Sequence, residues 1–427
     1  VTFGPLHLNI PALFGVALVL LASAVLLFGR HAGIHPISKA WAAWLLLLLP
    51  FVVMSRRNFG PDGLIAVREW IRLLSIAAVF ALAYALPPRR GRARGLGLLF
   101  LALPIPLLAA AWQLATKTGF VVGTERRLMG TLSHPNSFGI FLVLFIALTY
   151  ERIRSSGHPL WTVLLFAEMT FLVGTLNMGG FAMLAVLLAW ISIRETGGGR
   201  WLVLGIAVVF ALILLTNRQA PAKLRYARSA APAQITETVR TGSFQGSLGW
   251  RFANWRNLFE AWKARPFDGY GLHTTSFVNG WRTKEGVGFA AHNDFLRYLV
   301  ETGALGLLVY LAFLLVCWVH IFRAARRAPP RRGAPLLWIL AGVFLAWQAG
   351  SAADNLISTT AFQFLFWAAL GFALRESASK PAPNGEGPPG VRRVTTVYPI
   401  DDRGAKIGGN ETFLRRFIAA APAGLEL

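Results

Sequence analysis

The sequence predicts an all-α polytopic membrane protein, and three observations carry that prediction. The chain of 427 residues is 55% hydrophobic and only 14% charged, with 15 tryptophans, which is too apolar for an ordinary soluble domain. Its apolar residues fall in long runs, and a helix of about 20 such residues crosses the hydrocarbon core. Its basic residues collect in short loops between those runs. The net charge of +23 would suit nucleic acid if it formed one stripe; distributed over punctuating loops it fits membrane topology, and no nucleic-acid partner is expected.

In chain order, spans are predicted near 8–29, 38–54, 64–86, 95–116, 136–152, 159–176, 179–194, 201–216, 302–322, 335–352 and 357–374. The opening "VTFGPLHLNI" holds no basic segment, so the first run reads as a span and not as a cleaved signal. The chain starts without Met, which suggests a trimmed start, and a helix missing there would raise the expected number to about 12. No sheet pattern interrupts the runs before residue 375, so the membrane domain, 1–375, is expected to be helical throughout. Cys317 is the only cysteine, which excludes an intrachain disulfide.

Lys and Arg set the expected orientation. One set of loops holds Arg30, Arg89, Arg90, Arg92, Arg94, Arg152, Arg154, Arg194, Arg200, Arg323, Arg326, Arg327, Arg331, Arg332 and Arg375. The opposite short loops hold only Arg56, Arg57, Lys117, Arg126 and Arg127. The positive-inside rule makes the first set cytoplasmic. It puts the long segment 217–301, a periplasmic loop with an amphipathic helix in a bacterial protein, on the outer face. The arginines left outside run against the topological bias. Arg56, Arg57, Arg126, Arg127, Arg218, Arg225, Arg251, Arg256 and Arg265 together read as an anion site, because guanidinium forks match phosphate oxygens.

Three outer stretches carry the candidate chemistry: "RRLMGTLSHPNSFGIFL" (126–142), "LGWRFANWRNLFEAWKARPFDGYGLHTTSF" (248–277) and "AAHNDFLRYLVETGALGLL" (290–308). In the last, His292-Asn293 is followed by nine residues and then Gly303-Ala304-Leu305-Gly306. This spacing, with Arg251, the "ARPFDGYGLHTTSF" turn and the Arg127, Gly130, His134, Pro135, Asn136 approach to a span, resembles the O-antigen ligase and polymerase superfamily of bacterial membrane glycosyltransferases. The span after residue 174 often begins with a Ser-Arg pair in that family; here Asn177 and Met178 stand there.

The resemblance implies a GT-C-like membrane fold in the bacterial inner membrane. It also implies transfer of a glycan from an undecaprenyl diphosphate carrier to a sugar hydroxyl, of the lipid A core for a ligase or of a second carrier-linked glycan for a polymerase. The residues support that chemistry in their own right. A departing diphosphate needs its charge neutralised, by a metal or by fixed arginines. No ligand-spaced acidic cluster occurs in the outer segments, where Asp62, Glu125, Glu237, Glu260, Asp268 and Glu285 are scattered singly, so neither metal nor other cofactor is expected. Histidine titrates near neutrality, so His292 can accept the acceptor's proton or orient it.

Arg251 and His292 are thus the expected catalytic residues, with Arg56, Arg57, Arg126, Arg127, Arg265, His134, Asn136 and Asn293 binding substrate. Each has a plainer alternative. His292 could cap the helix starting near Asp294, His134 the fifth span, and Asn293, Asp294 and Asn136 are equally good caps. Trp250, Trp255, Trp262 and Trp281 suit sugar stacking or an interfacial belt. A transporter is the less favoured reading, since no internal repeat is visible and the polar clusters gather on one face. Gly303 and Gly306, three residues apart, are expected to share a helix face and let a neighbouring helix come close.

Beyond the membrane domain, "ESASKPAPNGEGPPG" (376–390) reads as a Pro/Gly-rich linker. Residues 391–427 read as a strand, a Gly-rich turn and a helix, a cytoplasmic tail that resembles the opening βα unit of GT-B-like two-domain glycosyltransferases at Gly408, Gly409, Asn410 and Glu411. It is either the start of a longer fused domain or a tail without a fold of its own.

Overall fold

The computed structural model describes residues 2–3, 8–28, 33–85, 91–122, 125–216, 247–282, 288–327 and 336–378. The expectations for Arg218, Arg225, Glu237, Glu285, Arg331, Arg332 and the tail from 379 onward lie outside these residues, as do those for Arg30, Arg89 and Arg90. Of the described residues 81% are helical, as the composition predicts. The membrane part is built from α1 (Ile10–Phe28), α2 (Pro36–Phe59), α3 (Ile65–Ala85), α4 (Gly91–Phe100), α5 (Pro104–Ala115), α6 (Pro135–Ser156), α7 (Pro159–Gly174), α8 (Met178–Ser192) and α9 (Gly198–Thr216). The segment after α9 supplies α10 (Ser247–Ala264) and the short α11 (Thr275–Val278), and α12 (Asp294–Arg327), α13 (Leu336–Ser351) and α14 (Thr360–Ala378) complete the bundle.

Every predicted span is met by a helix. The fourth is divided, because Pro104 and Pro106 stop α4 from running on and restart the chain as α5. Among the described residues, five stretches are long and apolar enough to cross a membrane: Pro36–Ala85, Gly95–Ala115, Pro135–Ser156, Gly198–Thr216 and Asp294–Arg327. The helices α7, α8 and α13 are shorter, at 16, 15 and 16 residues. α8 packs on α13 and α7 on α6, while α7 turns Leu160, Val163 and Phe166 outward and α9 turns Trp201, Leu204, Val208, Leu212 and Leu215 outward. The chain is a multi-pass membrane protein. Among the described residues, sheet is limited to two small ribbons, β1 (Thr2–Phe3) with β2 (Leu8–Asn9) and β3 (Phe120–Val122) with β4 (Glu125–Arg127), both antiparallel.

The core where α2, α3, α12 and α14 meet is aromatic. Trp44 stacks on Phe313 with centroids 4.5 Å apart, and Trp41 meets Trp367 edge-on at 5.2 Å. Burial of such rings and offset or edge packing between them fix the helices against each other.

Gly303 departs from the expected role. It does not sit on a helix face: its φ of 67° and ψ of −174° break α12 between Thr302 and Ala304. The close neighbour is not a transmembrane helix but the loop after α10, since a Cβ on Gly303 would collide with the Phe267 carbonyl. Only glycine takes this dihedral and this approach together. The loop satisfies the break from both sides. Ala304 N–H donates to Pro266 O at 2.8 Å and Leu305 N–H to Phe267 O at 3.4 Å, while Gly271 N–H donates to Glu301 O at 2.7 Å. Gly306 makes room for its own helix neighbour, the Thr302 side chain. Gly271, at φ 112°, lets the same loop press on α2, where a Cβ would lie 2.4 Å from Ser55 N. The "FDGYGL" turn is therefore a wedge between α2 and the broken α12.

Candidate functional site

The site forms at the end of the bundle where α6 and α12 begin and α2 and α7 finish. Its centre is the stretch before α12. Helix α10 holds this stretch by its backbone: Asn254 Nδ2 donates to Ala290 O at 2.9 Å and Trp255 Nε1 to Ala291 O at 2.8 Å. His292 follows with a left-handed φ of 48°, an unfavoured conformation for a non-glycine residue and one that persists where surrounding contacts impose it. Asn293, not His292, caps α12, its Oδ1 accepting from Leu296 N–H at 3.0 Å. The imidazole is thereby left for other work.

It pairs with an acid from the far end of the sequence. His292 Nδ1 lies 3.1 Å from Asp354 Oδ1, with the side chains 30% and 15% exposed. A carboxylate can only accept, so Nδ1 donates this hydrogen. Asp354 is itself held: its Oδ2 accepts from Asn136 Nδ2 at 2.7 Å, and its Oδ1 also accepts from Asn355 N–H at 2.9 Å. Burial pushes its pKa up, but the His292 hydrogen bond, the His292 charge and the Arg251 charge outweigh burial and keep the carboxyl below its ordinary range.

Asn136 is oriented in turn by Arg127, whose Nη2 donates to Asn136 Oδ1 at 2.7 Å while Nε donates to Thr175 O at 2.7 Å. The loop carrying Arg127 is pinned by Gln113, which takes the N–H groups of Met129 and Gly130 at 3.0 and 3.1 Å. Leu128 N–H donates to Gly174 O at 2.9 Å. His134 caps α6 as its alternative reading expects, with Nδ1 accepting from Asn136 N–H at 3.1 Å. Burial, then the Arg127 charge, lowers its pKa, so near neutrality it is an uncharged imidazole whose hydrogen is on Nε2. The charges of Arg251 and His292 also act on His134, and that of Arg251 on Asp354. His292, Arg251, Arg127, His134, Asn136 and Asp354 thus form one cluster.

Arg56 and Arg57 are exposed in the last turn of α2 and Arg126 is exposed on β4. Arg265 lies over the Tyr270 ring at 5.2 Å. Asn177 donates through Nδ2 to Asn136 O at 3.1 Å, so the position where relatives carry a Ser-Arg pair borders the cluster, with Arg127 bonded to the adjoining Thr175 carbonyl. Trp262 is tied to Pro266 O at 3.0 Å. Sequence reasoning missed Asp354, the lone acid of the short link between the last two spans.

It also missed a buried charge network beneath the cluster. Arg297 donates to Glu69 at 2.8 Å, Glu301 at 3.1 Å and Ser358 at 2.8 Å, and Arg72 donates to Glu69 at 2.7 Å. Arg297 Nη2 also meets His273 Nδ1 at 2.9 Å, and burial lowers the His273 pKa. Among the described residues no group of three or more His, Cys, Asp or Glu is placed to hold a metal ion.

Residues 160–311, which run from α7 through α10 to His292 and the glycines, match the family described as O-antigen ligase. This stretch of the chain is thus similar to an O-antigen ligase domain, which supports a ligase- or polymerase-type function in general. No curated protein matches the chain.

Proposed function

We propose that this protein transfers a glycan from an undecaprenyl diphosphate carrier to a sugar hydroxyl of the lipid A core type, on the periplasmic face of the bacterial inner membrane. The observation that carries the reading is the Asp354–His292 pair set among Arg127 and Arg251 at a bundle end that the charge pattern makes the outer one. The acceptor oxygen attacks the anomeric carbon, and the bond from that carbon to the diphosphate oxygen breaks with its electron pair leaving on the diphosphate. The hydroxyl proton passes to His292 Nε2, and Asp354 holds the ring in the required tautomer and stabilises the imidazolium. Arg251, with Arg127 beside it, neutralises the leaving diphosphate, and forked donors suit that role better than an ammonium.

The test is reconstitution. Purified protein given carrier-linked glycan and lipid A core should yield one conjugate, in chelator as well as without it. A ladder formed from carrier-linked glycan alone would assign the polymerase reaction, and loss of turnover in chelator with recovery on adding a divalent ion would overturn the arginine mechanism.

A further inference from the structure

The link that carries Asp354 joins α13 to α14 and contains little regular structure beyond one 3-10 turn, Leu356–Ser358. A short link of this kind does not fix a carboxylate by itself. Here the restraint comes from buried side chains of other helices. Asp294, fully buried in the first turn of α12, accepts through Oδ2 from Ile357 N–H and from Ser351 Oγ–H, both at 2.9 Å. Arg72 of α3 donates to Ile357 O at 2.8 Å and Arg297 of α12 to Ser358 Oγ at 2.8 Å. Asp294 therefore grips the link on both sides of Asp354, at Ser351 before it and at Ile357 after it. It also stands next but one to His292 in the chain.

We propose that Asp294 is a positioning residue, holding the link so that Asp354 meets His292 at hydrogen-bond distance. This rests on the reading of His292 and Asp354 given above. One helix end then carries the imidazole directly and the carboxylate through Asp294, so both members of the pair are referenced to the same backbone. The single-residue separation matters because displacement of a reacting group by about 1 Å can cost on the order of 100-fold in rate. Asp294 makes no contact with substrate in this scheme, and its loss acts on turnover and not on carrier binding.

Four purified proteins test it, with undecaprenyl-diphosphate-linked glycan and lipid A core as substrates and melting temperature measured in the same detergent: Asp294→Ala, Asp294→Asn, Asp354→Asn, and Asp294→Ala combined with Asp354→Asn. Asp294→Ala is expected to lower kcat by about 10- to 100-fold with KM for the carrier within about twofold. Asp294→Asn, whose Oδ1 can accept both hydrogens, should retain kcat within about threefold. In the Asp354→Asn background the alanine should cost less than about twofold more, because both changes act on one contact. A folded Asp294→Ala protein with wild-type kcat, or an equal loss in both backgrounds, would overturn the proposal. Should Asp294→Ala not fold, Ser351→Ala removes one of the two bonds and takes its place in the same cycle, read by the same criteria. If Asp354→Asn itself turns over normally, the reading of the pair fails and this inference with it; a slow Asp354→Asn beside a normal Asp294→Ala removes the inference alone.

Discussion

The two ends of the helix bundle use the same residue types for different ends. Opposite the candidate site, Arg194 donates to the carbonyls of Ala325 and Arg326 at 2.9 and 3.4 Å and lies over Trp338 at 4.6 Å. Arg200 donates to Glu195 O at 2.7 Å, and Arg154 pairs with the buried Glu195 at 3.3 Å. Guanidinium groups there satisfy carbonyls at or beyond helix C-termini, where the partial charge favours a cation. At the site end, Arg127 shares its fork between a carbonyl and Asn136, and the chain of bonds ends on a half-exposed imidazole. Arginine content therefore does not separate the ends; what distinguishes the site is that the bonds from Arg127 lead through Asn136 and Asp354 to a histidine.

The comparison is broken most sharply at His292. Replacing it with Ala should lower the transfer rate by about 1,000-fold, in the range of a lost general base, while the melting temperature stays near wild type; normal turnover in the variant would remove the site from this end. Arg251→Ala should cost about 100-fold, measured as kcat/KM with the carrier-linked glycan, and Arg251→Lys should recover little of it because one ammonium cannot replace the fork. Gly303→Ala should reduce both stability, by about 2–4 kcal/mol, and transfer, since the displaced loop leads through α10 to His292. Arg154→Ala, at the other end, should lower stability by about 1–3 kcal/mol and leave kcat per folded molecule unchanged. A fall in kcat matching that of Arg251→Ala would erase the distinction between the ends.

The smallest effect concerns acid. His134 and His273 are held neutral in the fold, chiefly by burial, so the unfolded chain binds more protons and stability falls as pH drops below about 6.5. Asp354, held ionised by His292 and Arg251 against the effect of burial, adds a further loss as pH falls below about 4. Melting temperature in detergent should decline from pH 7 toward pH 4, and a flat or rising curve would contradict the assignments.

Much of this was legible from residue order. The apolar runs located every helix of the membrane part, because lipid requires long uninterrupted segments with all backbone groups paired internally. His292 was legible through its spacing to Gly303, and His134 through its place before Pro135. Asp354 was not, since its partner His292 is 62 residues away and only folding brings the link over α12. A signal did exist: it is a single acid in the short loop between the last two spans of a chain poor in acids. Arg297 and Glu301 carried another, as an i,i+4 ion pair leading into an apolar run, where charge is costly enough to imply a structural or functional partner. Gly303 was read correctly as a close-approach glycine and wrongly as helical, because a three-residue spacing looks the same in a continuous helix and across a break.

That break also constrains how the protein can be made. If α12 entered the membrane before the wedge was in place, the N–H groups of Ala304 and Leu305 and the carbonyl of Glu301 would have no partner at the break, at a cost of several kcal/mol for each group left in lipid. Their partners, Pro266, Phe267 and Gly271, precede α12 in the chain and leave the ribosome first. Biosynthetic order thus delivers the wedge before the helix that needs it, and the backbone groups at the break find their partners in a segment that is already made.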